Sequence, residues 1–164
     1  MVLSSFFFSS LAYAGNASSY NNKQLGVNLK YIEYNKQQPT VDAQNNIWYY
    51  EPNLQPAWTI SVPTKPQDGM PADFDGYGLI RIRAYHSSDM IYKDILGELK
   101  QDVEIKELKK KTINRKKALV FNAVGESSSA EALVFGKKYV INIEMAWENN
   151  KNDVFQTILK SIKF

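Results

Sequence analysis

Between residues 139 and 147 every second position is apolar. Tyr139, Ile141, Ile143, Met145 and Trp147 share one parity, and Asn142 and Glu144 fall on the other. Period two over that length predicts a strand with one face on a core and the other near water. A shorter apolar run at residues 130–135 precedes it, and Gly136-Lys137 separates the two. A glycine at that point can take the positive φ of a tight turn, so the pair predicts a β-hairpin. Beyond the polar break at 148–152 the period changes. Val154, Phe155, Ile158, Leu159 and Ile162 recur at helical spacing. Asn152 is placed to cap that helix, Asp153 suits its positive end, and Lys160 and Lys163 suit its negative end.

The same two periods organise the rest of the chain. Val27, Leu29 and Tyr31 alternate as a first strand, and residues 47–50 form a short aromatic run. Trp58, Ile60 and Val62 alternate with Thr59 and Ser61, and Pro63 is expected to stop that strand. Residues 64–78, with prolines and glycines at intervals, form the longest irregular stretch. Ile80, Ile82 and Ala84 then oppose Arg81 and Arg83 on a further strand. Ser88 is placed to cap a helix carrying Ile91, Ile95, Leu96 and Leu99. Gly97 inside that helix costs about 1 kcal/mol relative to alanine, so the helix depends on packing. Residues 117–124 read as another strand, with Leu119, Phe121 and Ala123 on one side. Strands, helix, strands, helix in that order predicts an α+β fold. Its sheet is mostly antiparallel and flanked by helices, with the C-terminal helix closing the core.

Composition narrows the chemistry more than the fold. The 164 residues suit one domain, and a 13% aromatic share suits a sheet-containing one. There is no cysteine and one histidine, His86. That removes disulfides, thiolate nucleophiles, iron–sulfur and thiolate zinc sites, a lipoprotein anchor and any multi-histidine centre. A net charge of +3 is too small to indicate nucleic acid by itself. Residues 1–14 carry no charge, hold Phe6-Phe7-Phe8 and end in Ala12-Tyr13-Ala14. This reads as a signal peptide with a small-x-small cleavage site, although no Lys or Arg precedes it, and it is too short to span a membrane. The protein is therefore expected to be exported, periplasmic or secreted. Residues 15–24 are Asn- and Ser-rich and read as a flexible lead-in, and 25–164 as a single domain. Asn16-Ala17-Ser18 fits a glycosylation acceptor, which matters only in a eukaryotic secretory pathway.

Two constellations invite a functional reading. Asp73-Phe74-Asp75-Gly76, with Asp68 upstream, places carboxylates before a glycine as calcium loops do. A third oxygen ligand and a bidentate glutamate are missing, so Asp73 and Asp75 are weak metal candidates and a solvated turn accounts for them. No cofactor is expected. The second is the basic run Lys106, Lys109, Lys110, Lys111, Arg115, Lys116 and Lys117, opposed only by Glu107. Two strand ends meeting at Asn114 would bring these charges to one edge. They would suit an acidic partner protein or an anionic membrane surface. Lysines also protect sheet edges from aggregation, which explains them without any partner. No aromatic residue interleaves with them, which argues against nucleic acid. His86 has no partner motif and reads as a polar junction residue. No phosphate loop, nucleophile elbow or internal repeat occurs. The sequence therefore favours a non-enzymatic binding protein. A small-ligand or calcium-binding domain is the alternative, using Trp48, Tyr49, Tyr50 and Trp58 with the Asp73–Asp75 loop. A hydrolase using Asp73 and Asp75 ranks last.

Several segments resemble the superfamily of PsbP and Mog-type proteins, with DcrB-like bacterial envelope proteins among its members. They are Trp58-Thr59-Ile60-Ser61-Val62-Pro63, the helix at 91–99, Lys116-Lys117-Ala118-Leu119-Val120-Phe121, Gly136-Lys137-Lys138-Tyr139-Val140-Ile141, and the closing residues 155–164. The resemblance covers about two-thirds of the chain. Asn114-Arg115 departs from it, standing where a glycine turn is common. It implies an α-β-α sandwich and an accessory, chaperone-like or scaffolding role, and it carries over no functional residue.

Overall fold

A computed structural model describes residues 17–42, 55–65, 78–125, 128–146 and 151–164. Residues 1–14, Trp48, Tyr49, Tyr50, Asp68, Asp73, Asp75 and Trp147 lie outside the described residues. Two antiparallel strands, β1 (Ala17–Asn22) and β2 (Val27–Ile32), form a separate hairpin. Seven more strands form one antiparallel sheet. They are β3 (Thr40–Asp42), β4 (Trp58–Thr64), β5 (Gly78–His86), β6 (Ile105–Ile113), β7 (Lys116–Val124), β8 (Ser128–Phe135) and β9 (Tyr139–Ala146). Their spatial order is β3-β4-β5-β9-β8-β7-β6. The helices are α1 (Tyr92–Gln101) and α2 (Asp153–Ser161).

Alternation decides the two faces. Ile60, Ile82, Ile143, Ala132 and Val120 are cross-strand neighbours in one row across five strands. Their face packs with Phe155, Ile158 and Leu159 of α2 and with Val27, Leu29 and Tyr31 of β2 in the larger core. The opposite parity places Tyr85, Val140, Leu133, Leu119 and Phe121 in a smaller core with Ile95 and Leu99 of α1. Each face of the sheet therefore buries apolar surface, the dominant favourable term in folding.

The expected α+β sandwich is not what forms. Strands hold 55% of the described residues and helices 16%, and the two helices are short, so the fold is β-rich. The reason lies in strands that carry no strand-like signature. β1 is Ala-Ser-Ser-Tyr-Asn-Asn, taken from the stretch expected to be a lead-in, and it has no buried residue. β6 is lysine-rich and largely exposed. Both are held by main-chain pairing to an apolar neighbour, for which their own side chains matter little.

Three local expectations meet the structure differently. Pro63 does not end β4, which continues to Thr64 with Pro63 opposite Leu79. β3 pairs only with residues 59–61, so Pro63 lies past that contact, where no ladder partner needs its missing N–H. Ser88 does not cap α1. Ile91 holds that position without a side-chain bond, and the Ser88 hydroxyl donates to Asp89 instead. Asn152 caps α2 as its position predicted, with Oδ1 accepting from Val154 N at 2.9 Å and Phe155 N at 3.2 Å.

A basic cleft as the candidate functional site

Three turns and the end of the chain converge at one end of the molecule. The β6–β7 turn is the two-residue pair Asn114-Arg115, with φ of 47° and 65°. Positive φ at both positions is the geometry whose twist matches a right-twisted hairpin, and asparagine tolerates it best after glycine. Asn114 Nδ2 donates to the Ile162 carbonyl at 2.6 Å, tying this turn to the segment after α2. The β1–β2 turn is closed by Asn22 Oδ1 accepting from Leu25 N, and Gly26 there adopts φ +70°. Asn28 and Lys163 exchange two backbone hydrogen bonds, at 3.0 and 2.8 Å, which docks the chain end on β2.

The β8–β9 turn supplies the third wall. Gly136 is needed there for close approach rather than for positive φ. A Cβ on it would meet the Phe164 ring at 2.6 Å and the Tyr139 carbonyl at 2.8 Å. The Phe164 ring thus lies against the Gly136 backbone, and Lys116 Nζ sits 4.4 Å from its centre. Lys138 Nζ sits 4.9 Å from the centre of Tyr139, whose ring also contacts Trp58 and His86.

These elements enclose an open cleft of about 900 Å³. Leu25, Tyr139 and Phe164, each half-buried, give it an apolar floor on the α2 face of the sheet, while Phe135, also lining it, packs against Tyr92 on the α1 face. Lys23, Arg115, Lys116, Lys117, Lys137 and Lys138 surround that floor, and no carboxylate side chain is among the described residues lining it. Six like charges with no carboxylate side chain among the described lining residues raise the local potential and favour an anion entering from solvent.

The basic run read from sequence is therefore divided. Arg115, Lys116 and Lys117 line the cleft. Lys109, Lys110 and Lys111 do not. They alternate across edge strand β6, opposite Val120, Leu119 and Ala118, and Lys109 pairs with Glu107 at 3.4 Å. A register shift between Lys106 and Lys109, with Glu107 at φ 51°, gives that strand a bulge. Lysines and a bulge on an exposed edge block further strand pairing. Lys23, Lys137, Lys138 and the aromatic floor were not anticipated.

A second polar cluster lies on the α1 side of the sheet. Arg83 donates through Nη1 to Asn142 Oδ1 at 3.0 Å and to the Glu144 carboxylate. Asn142 Nδ2 donates to Glu131 Oε2 at 2.8 Å, and the Ser129 hydroxyl donates to Glu131 Oε1. Arg81 adds a weaker contact to Glu144 at 3.9 Å. Arg83, Glu131 and Asn142 are buried, which corrects the expectation that the second parity of β9 faces water. Burial and the neighbouring Glu144 push the Glu131 carboxyl up to about 8, against the pull of Asn142, Arg83 and Ser129. The cluster can hold one proton near neutral pH, and its enclosure makes it a fixture of the sheet.

His86 ends β5 opposite Tyr139, exposed, with no carboxylate hydrogen-bonded to it among the described residues. Among the described residues no group of acidic or histidine side chains is arranged to hold a metal ion. No helix among them is long and apolar enough to cross a membrane. No family model matches the chain, and neither a curated protein nor a solved structure matches it.

Proposed function

We propose that the chain is a non-enzymatic binding protein that holds an acidic partner protein in the basic cleft. The observation that carries this reading is the lining itself: six cations around an apolar floor, with no carboxylate side chain among the described lining residues. Such a surface is an unbalanced half of an interface, and an anionic counterpart completes it. The uncharged apolar run of residues 1–14 adds export to this reading, with the partner in the bacterial envelope or outside the cell.

The test compares two immobilised forms of the full chain, wild type and Lys116→Glu/Lys137→Glu, against envelope extract of the source organism. The expected result is a partner held by wild type, released by raised salt and missed by the double variant. Charges on an open surface are screened beyond about 8 Å at physiological ionic strength, so the salt response follows from the site's exposure. A partner held equally by both forms would move the binding site away from the cleft.

A further inference from the structure

The cleft does not resemble a pocket for a single compact anion. Its cations are spread over three turns rather than converging, and five of the six are lysines, which act as point charges and not as planar forks. Its floor is apolar, and an all-acidic occupant would leave that floor without a partner. Nor does it offer stacking platforms for nucleic-acid bases. Phe164 lies against Gly136 with the Lys116 ammonium over its ring, while Tyr139 is hemmed in by Lys138, Trp58 and His86. Ring faces already engaged are poor stacking surfaces for a base, whereas a half-buried ring such as Phe164 can still meet an apolar side chain edge-on.

A second groove, of about 450 Å³, is lined by Asn28, Lys30, Thr157, Lys160, Ser161 and Lys163. Its Asn28 and Lys163 form the bridge that docks the chain end, next to Phe164 of the cleft in sequence. Among the described residues no carboxylate side chain lines this groove either. Cleft and groove are two basic depressions, the first of them with an apolar basin.

We infer that the occupant is an extended acidic segment bearing a bulky apolar side chain. The apolar side chain enters the basin between Leu25 and Phe164. Carboxylates on either side of it meet the lysines of the cleft and of the second groove. This inference rests on the proposed binding of an acidic partner and adds what that partner must look like. Burying one aromatic side chain in the basin is worth about tenfold or more in affinity.

Fluorescence anisotropy on the full chain tests it. The probes are a glutamate-rich labelled peptide with one central phenylalanine, the same peptide with serine there, its Glu→Gln counterpart, and single-stranded oligo-dT. The expected order is phenylalanine peptide first, serine peptide about tenfold weaker, and Gln peptide and oligo-dT weaker still. Leu25→Ser should remove the advantage of phenylalanine and leave the serine peptide unchanged. Phe164→Ala should do the same if Leu25→Ser perturbs the β1–β2 turn, with thermal melts checking both folds. Lys116→Glu/Lys137→Glu should weaken both acidic peptides. Equal binding of the phenylalanine and serine peptides overturns the apolar anchor while the acidic-partner reading stands. Tighter binding of oligo-dT than of either acidic peptide overturns the anchor and replaces the partner class. No binding of any acidic peptide overturns both.

Discussion

Glu131 shows how one side chain can set a property of the whole protein. It is buried beside Glu144, and its carboxyl keeps its proton to about pH 8, whereas an unfolded chain releases it near 4.5. Between those values the unfolded state binds fewer protons than the folded state. Stability contributed by this group is complete below about 4.5 and declines as pH rises through about 8. Melting temperature should fall over that interval in wild type, and Glu131→Gln should flatten the fall, because the amide keeps the size and carries no charge. Thermal denaturation across a pH series measures this, and an unchanged slope in Glu131→Gln would assign the fall to other groups. The sequence showed Arg83 and the parity of Asn142 and Glu144, yet not that they meet. Polar residues on one strand face read as solvent-facing unless the neighbouring strands are known, and cross-strand registers such as Arg83 opposite Asn142 are set by the whole sheet.

Secondary-structure elements were legible where local chemistry decides them. The α2 cap is one case, since Asn152 precedes the helical period and its side chain has two free N–H groups to accept from. Asn152→Ala should cost about 1 kcal/mol, read as a lowered denaturant midpoint at unchanged slope. Gly97 is another. It sits within α1 without a positive φ, and a Cβ there would meet nothing within 4 Å beyond its own stretch of helix, so nothing in the packing requires glycine. Gly97→Ala should therefore stabilise by about 1 kcal/mol in the same assay. A loss instead would mean that α1 relies on that glycine for packing. β1 was illegible for a physical reason: a strand paired on one side takes its order from main-chain bonds, and its side chains answer to water. β6 shows no alternation for the same reason and was legible only as a lysine-rich strand end meeting its partner at Asn114. Helix α1 begins later than Ser88 predicted, because Met90 is buried in the smaller core and residues 87–89 turn to place it there.

The cleft belongs to the molecule and to no single segment. β6, β7, β8 and β9 form an antiparallel meander, so its first and third turns fall at the same end. That brings Asn114–Lys117 beside Gly136–Tyr139, and the docked chain end adds Phe164. Half of the cationic lining was visible as a basic run, namely Arg115, Lys116 and Lys117. Lys137 and Lys138 were visible only as hairpin residues, and Lys23 only as part of a polar lead-in. Recognising them needed the meander, whose strand order periodicity alone does not supply. The aromatic residues absent from the basic run in sequence are brought to it by other strands in space.

Where an acidic ligand binds decides whether the cleft is the working surface of this protein. Amide chemical shifts of the isotope-labelled full chain, followed while a glutamate-rich peptide containing phenylalanine is added, measure that directly. Binding in the cleft predicts shifts concentrated at residues 23–26, 114–117, 135–139 and 160–164, diminishing with added salt. Shifts centred on β6 around Lys109–Lys111, or on the Arg83 and Glu131 side of the sheet, would contradict it.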